Sequence, residues 1–254
     1  MTKIKPIPPV IFLILGLSLS ALLPVAAQPF SLPAETRQVI VGLSQGWDDS
    51  YVTLQRWEKN AAGWTAVGKP VSGRLGTAGL AWGRGLHPEG LTGGGLKEEG
   101  DKRAPAGIFS LGEVYTYTLD VQCAIGLKVN QVTEQDMWVE DPTSEFYNRH
   151  LQLPGRAPQT EWEKKQQMNQ KDPAHKLKLF IEHNAGTTIK KGAGSSIFFH
   201  IWRENGARSS SGCTVMGEPS LRELIAWLEP RKNPVYVLLP QQVYAEKKKA
   251  WGLP

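Results

Sequence analysis

Ser195-Ser196-Ile197-Phe198-Phe199-His200-Ile201-Trp202 constrains the fold more than any other stretch of this 254-residue chain. An apolar run rich in β-branched and aromatic side chains reads as a strand, and its alternation sets Phe198, His200 and Trp202 on one face and Ile197, Phe199 and Ile201 on the other. After a short polar link comes Ser209-Ser210-Ser211-Gly212-Cys213, which cannot build a core but can turn tightly and bring Cys213 back to the strand just left. A histidine and a cysteine facing each other across such a loop are what a thiolate nucleophile needs. The imidazole takes the proton, and backbone N–H groups of Ser211 and Gly212 are placed to hold an oxyanion.

The start of the chain reads as a secretory leader: Lys3 and Lys5, an apolar run from Val10 to Leu23, then Pro24-Val25-Ala26-Ala27. That run is short for a membrane span, so residues 1–27 are expected to be cleaved and the mature chain to work in the periplasm or another extracytoplasmic part of the envelope. Removing two lysines and no acid lowers the formal charge from +5 to +3. The basic residues are scattered along an exported chain, so nucleic acid is not an expected partner; nor is a membrane span in the mature protein. Residues 28–240 are long enough for one well-buried domain, and 241–254, with Lys247-Lys248-Lys249, reads as a polar, frayed tail.

Residues 37–68 alternate as a hairpin turned by Asn60-Ala61-Ala62-Gly63, which opens an antiparallel sheet. Gly63, Gly68 and Lys69 have the spacing of a phosphate loop, but Pro70 stands where the hydroxyl should be and no helix pattern follows. The glycine-rich stretch 73–107 is a surface loop or a groove wall, and His87 within it reads as a turn residue. Residues 150–180 are polar, with a capping box at Thr160-Glu161-Trp162-Glu163, and read as an exposed helical insertion able to act as a lid. His175, after Asp172-Pro173, reads as a surface-loop histidine. Beyond Cys213, Ser220-Leu221-Arg222-Glu223 is a second capping box. Leu221, Leu224, Ile225 and Leu228 then form one apolar helix face, and Pro234 to Leu239 a buried strand.

Two cysteines in an oxidising compartment raise a Cys123–Cys213 disulfide as the reading that would remove the nucleophile. A His183, His200 and Cys213 zinc site matches no compact ligand spacing, so no metal and no cofactor are expected. His183 and Asn184, at the end of a neighbouring strand, either line the site and contact substrate or are satisfied locally.

The His200 to Ser-x-Gly-Cys213 pattern resembles the signature of the YkuD-type L,D-transpeptidases. So do Gly79-Leu80-Ala81-Trp82-Gly83-Arg84-Gly85-Leu86-His87, Arg103-Ala104-Pro105-Ala106-Gly107-Ile108-Phe109, and Trp138-Val139-Glu140-Asp141-Pro142 through Tyr147-Asn148, so the likeness covers most of residues 37–240. It implies a mainly β fold with a few helices, a sandwich or mixed sheet, and a glycine-rich loop beside the active site. It also implies a cysteine enzyme acting on peptidoglycan stem peptides, with Cys213 as nucleophile, His200 as general base and acid, and Ser210 orienting imidazole or substrate. A monomer is expected. Ser211 stands where a histidine is usual and Val215 where many members carry arginine or asparagine, which bears on how a substrate carboxylate is held. The alternatives are an L,D-carboxypeptidase or a hydrolase releasing wall proteins with the same Cys/His pair, and a non-catalytic wall-binding module. Papain-like and NlpC/P60 peptidases place cysteine before histidine; sortases share the order seen here and are a more distant fit.

Overall fold

The structure, a computed structural model, describes residues 1–2 and 30–254; the leader expected over 1–27 lies almost wholly outside the described residues. The strands are β1 (Gln38–Ser44), β2 (Tyr51–Asn60), β3 (Gly63–Arg74), β4 (Leu80–Trp82), β5 (Ala104–Thr116) and β6 (Val129–Gln131). They continue with β7 (Asp136–Trp138), β8 (His150–Gln152), β9 (Leu177–Ile181), β10 (Phe198–Ile201), β11 (Thr214–Met216) and β12 (Val235–Pro240). The helices are α1 (Glu161–Gln166), α2 (Glu218–Trp227) and α3 (Gln241–Trp251). The chain is mainly β with few helices, as expected.

One sheet runs β12-β1-β2-β3-β11-β10-β9-β5-β4, with β6 attached to β5, and it closes because β12 also pairs with β5. Closure depends on the length of β5: its first half lies against β12, and beyond a register shift between Leu111 and Val114 its second half lies against β9. A shift of that kind bends a strand sharply enough to turn a corner. The result is barrel-like, with Ile40, Ile108, Phe109, Leu179, Phe199, Tyr236 and Val237 in one buried cluster. A smaller cluster on the outside joins Tyr115, Val132, Trp138, Met168, Phe180 and Phe198.

Two of the sequence stretches that travel together meet physically. His87, expected as a turn residue, is buried with Nδ1 accepting the Ile108 N–H at 3.0 Å. Its ring occupies the space a Cβ on Gly107 would need: such a carbon would lie 1.9 Å from His87 Cε1, and Gly107 has φ +138°. Glycine is therefore required there for both space and backbone.

Helix α2 buries Leu221, Leu224 and Ile225, with Leu228 just after it, the face read from the sequence. It begins earlier than the Ser220 capping box, at Glu218, because Pro219 sits in the first turn, where no N–H is needed. The capping box at Thr160 is present. The tail expected to fray is helix α3: Trp251 and Leu253 are buried, Phe30 meets Trp251 edge-on at 5.3 Å, and the Leu32 N–H donates to the Trp251 carbonyl at 2.9 Å. Apolar anchors just beyond the lysine run hold it. The phosphate-loop lookalike begins β3 of the hairpin. No helix among the described residues is long and apolar enough to cross a membrane.

Candidate active site

Strand β10 sits between β9, antiparallel, and β11, parallel. A parallel partner directly after a strand requires the chain to return to that strand's beginning. The link after β10 does so under restraint. Arg74 Nη1 donates to the Gly206 and Ala207 carbonyls at 2.7 and 3.2 Å. The Ser210 N–H donates to Leu75 O and the Thr77 N–H to Ser210 O, each at 2.9 Å. Arg74 pairs in register with Val215, but its guanidinium is committed to this loop and to Ser50, so it does not replace the arginine or asparagine absent at Val215.

Register then decides which side chains share a face. Phe199 pairs with Thr214 and points inward, where Thr214 Oγ1 lies 3.1 Å from Tyr236 Oη. The intervening residues point outward: Phe198 and His200 on β10, and Cys213 just ahead of β11. On β9, Lys178 is directly opposite His200 and Phe180 opposite Phe198. His200 and Cys213 thus share the outer face, with Cys213 level with Phe198 and two residues from His200 along the strands.

Around them lies a cavity of about 470 Å³, lined by Lys97, Glu99, Lys102, His175, His200 and Cys213 among others. It continues past Cys213, Ser196, Glu140, Gln170 and His175 into a narrow recess of about 50 Å³ floored by Trp138, Phe198 and Lys178. The glycine-rich loop supplies Lys97, Glu99, Gly100 and Lys102, so it forms a wall of this cavity. The 150–180 segment contributes Gln166, Gln167, Met168, Gln170 and His175; it is packed rather than fully exposed, since Leu153, Glu163, Gln166 and Met168 are buried.

Cys213 and Cys123 are both free and half-buried. The Cys213 sulfur accepts the Phe198 N–H and donates to the Ser196 carbonyl, each at 3.4 Å; these are its hydrogen-bond partners, and His200 is not among them. Burial pushes the thiol up to about 11, with the Glu140 carboxylate in the same direction, against the Phe198 N–H and the ammonium groups of Lys178 and Lys97, which pull it down. His200 Nδ1 lies 2.8 Å from the Ile201 carbonyl. A carbonyl only accepts, so Nδ1 carries the hydrogen and Nε2 is the basic nitrogen of the neutral ring. Burial lowers His200 to about 4, and Arg203 and Lys178 add to the fall, outweighing the Ile201 and Ala174 carbonyls.

His175 corrects the reading of a surface-loop histidine. Asp172 caps a short 3-10 turn over Pro173–His175, and the His175 ring stacks on His200 with centroids 4.6 Å apart and planes 24° from parallel. Burial takes His175 to about 3, with the neighbouring His200 in the same direction. No local sequence signal could have shown this stack, although Asp172-Pro173 does mark the turn that delivers the ring.

Ser210 ties the loop rather than facing the imidazole: its hydroxyl donates to the Cys213 carbonyl at 2.6 Å and accepts the Gly212 N–H at 3.0 Å. That bond occupies one of the two amides expected in the oxyanion hole. Ser211 lines the cavity beside Cys213. His183 and Asn184 do not reach this cavity, which corrects the expectation that they contact substrate. His183 is fully buried, with Nδ1 accepting the Arg84 N–H at 3.1 Å and Nε2 donating to Ala193 O at 2.9 Å. Both ring nitrogens are engaged, which also removes it as a metal ligand. Asn184 is bonded to the backbone of Lys190 and Gly194.

A residue whose role was not read from the sequence connects that scaffold to the site. Buried Asn148 donates to the carbonyls of His183 and Asn184 at 3.1 and 2.8 Å, and its oxygen accepts Trp138 Nε1–H at 2.9 Å and the Ser196 N–H at 3.0 Å. Ser196 in turn accepts the Cys213 thiol.

The family model for the L,D-transpeptidase catalytic domain, YkuD, matches residues 51–237. No curated protein and no solved structure matches the chain. The matched segment runs from β2 into β12 and contains the cavity, His200 and Cys213, and on that coverage the chain belongs to the YkuD family of L,D-transpeptidase catalytic domains.

Proposed function

We propose that the protein is a cysteine acyltransferase of peptidoglycan stem peptides, with Cys213 as nucleophile and His200 as the group that moves the proton. The family supplies the substrate class. The observation that carries the catalytic reading is that a thiol and a neutral buried imidazole, on adjacent strands of one face, open onto the same cavity.

In the first half-reaction Nε2 of His200 takes the thiol proton as Sγ bonds to the carbonyl on the carboxyl side of the L-configured stem residue. For this transfer Nε2 moves within hydrogen-bond reach of the sulfur, displacing the Ser196 carbonyl as its partner. The tetrahedral oxyanion rests on the amides of Ser211 and Cys213, because Gly212 N–H is held by Ser210. The carbonyl–nitrogen bond breaks, His200 returns the proton to the departing amine, and a terminal D-amino acid leaves a thioester on Cys213. An amine from a second stem or a free D-amino acid then attacks, His200 takes its proton, and the thiolate leaves and is reprotonated. Lys102, exposed at the cavity wall, supplies positive charge for a stem carboxylate in place of an arginine at 215. The leader read over 1–27 supports a site of action in the periplasm or another extracytoplasmic part of the envelope.

Incubation with purified muropeptides, with and without an added D-amino acid, tests the reading by mass analysis of products. Release of the terminal D-amino acid together with exchange of the added one is expected, and neither with Cys213→Ala. Release without exchange would make the protein a carboxypeptidase; unchanged muropeptides with folded wild-type protein would leave a wall-binding module.

A further inference from the structure

Lys178 takes no part in the proposed reaction, yet it shares a recess with Cys213 and its situation is costly. Its residue is 4% exposed, and its one hydrogen bond is to the Met168 carbonyl at 3.4 Å. No carboxylate among the described residues lies within 4.0 Å of Nζ. A buried ammonium without an anion is normally eliminated or neutralised. The groups facing it come from every neighbouring element. Tyr115 on β5 and His200 on β10 are its register partners, and Asp136 and Trp138 lie on β7. Glu140, His175 and Cys213 share its recess. Asp136 is taken by His150 at 2.8 Å and by the Thr133 amide and hydroxyl at 2.7 and 2.6 Å. Glu140 opens onto the cavity without forming an ion pair with Lys178. The Nζ also stands 5.4 Å from the centre of the Phe198 ring, on the residue whose N–H holds the Cys213 sulfur.

We propose that Lys178 is the positioning cation of the site, the counter-ion that stabilises the Cys213 thiolate as it forms, in place of the imidazolium usually given that task. This deepens the acyltransferase reading and rests on Cys213 being its nucleophile. His200 is poorly suited to carry a lasting positive charge: it is buried, stacked on His175 and next to both Arg203 and Lys178. Burial lowers Lys178 to about 8, and the Cys213 thiolate heads the influences that oppose the fall, so ammonium and thiolate each favour the other. The two roles then separate: His200 moves the proton as a neutral base, and Lys178 supplies the charge.

The test is the pH profile of alkylation of Cys213 by iodoacetamide, a small neutral probe, in a Cys123→Ser background, followed by intact mass. For Lys178→Met the apparent pKa should rise by about one pH unit and the rate at pH 7 should fall about tenfold, the effect of removing one nearby opposite charge. Lys178→Arg should stay within about threefold of the parent, and His200→Gln should shift the profile less than Lys178→Met does. The melting temperature of Lys178→Met should equal or exceed the parent's, because an apolar side chain of similar length replaces a buried unpaired charge. Should Lys178→Met not fold, Lys178→Gln takes its place in the same comparison. A Lys178→Met profile that superimposes on the parent's, or an equal shift in Lys178→Arg, overturns the inference. The reading beneath it fails differently: no acyl-enzyme on Cys213, with an alkylation profile that still depends on Lys178, would remove the transpeptidase and leave the counter-ion.

Discussion

The two faces of β10 and β11 have the same backbone and opposite character. Inward, Phe199 meets the Tyr236 ring at 4.6 Å and Thr214 is hydrogen-bonded to the Tyr236 hydroxyl, so each group has its partner inside the barrel. Outward, one residue along each strand, the same register sets out Lys178, which has no carboxylate partner, together with His200 and Cys213. A one-residue alternation thus divides a finished core from a site kept open to a ligand. On the proposed function the inner face contributes rigidity and the outer face reactivity, and substitutions on the two faces should fail in different ways.

The largest separation is expected from His200→Gln. Acyl-enzyme formation should fall about 10²- to 10⁴-fold, the usual contribution of a general base, while stability changes by less than about 2 kcal/mol. Stopped-flow acylation and urea melts on the same preparation report both numbers, and comparable losses in each would erase the division. Phe199→Ala should reverse the pattern, costing about 3–5 kcal/mol of stability as a buried aromatic is removed while the remaining folded protein acylates at near the parental rate. A rate that collapses with Phe199 intact in fold but not in sequence would place catalytic geometry on the inner face.

Asn148→Ala strikes the scaffold and the site through one amide. Its removal leaves four buried backbone or indole groups unpaired and loosens Ser196, so about 2–4 kcal/mol of stability should be lost together with part of the acylation rate. Preserved stability would mean that water replaces the amide.

The smallest effect is a slope. His200 is held to about 4 in the folded chain, below the ordinary value of 6.5. The unfolded chain therefore binds the extra proton first as pH falls. The stability tied to this neutral ring is present above pH 6.5 and is lost between 6.5 and about 4. His175 and His183, both lowered to about 3, act in the same direction and extend the loss to lower pH. Relative to the parent, His200→Gln should flatten the pH dependence of stability by up to about 1.4 kcal/mol per pH unit in that window; parallel curves would show that His200 keeps an ordinary pKa.

Much of this was legible because its causes are local. The alternation of 197–201, the small residues of 209–213, the Leu221–Leu228 face and the Thr160 capping box each carry their structure in a few adjacent residues. The His175 stack, the Lys178 register and the Asn148 bridge were not legible, because each depends on which strand lies beside which. Lysine in a strand and histidine after Asp-Pro look like surface until β9 is set against β10. The C-terminal helix was misread for a related reason: Lys247-Lys248-Lys249 dominates its composition, while Trp251 and Leu253 decide its position. The Ser210 bonds to the Cys213 carbonyl and the Gly212 amide were not legible either, since a hydroxyl's choice between ring and backbone depends on angles that spacing does not contain.

Intact-mass analysis after exposure to a carbapenem, whose strained carbonyl traps a cysteine acyl-enzyme, tests the nucleophile most directly. Wild-type protein should gain a single adduct that maps to Cys213, and Cys213→Ala should gain none. An unlabelled wild type, or an adduct carried by Cys123, would contradict the account.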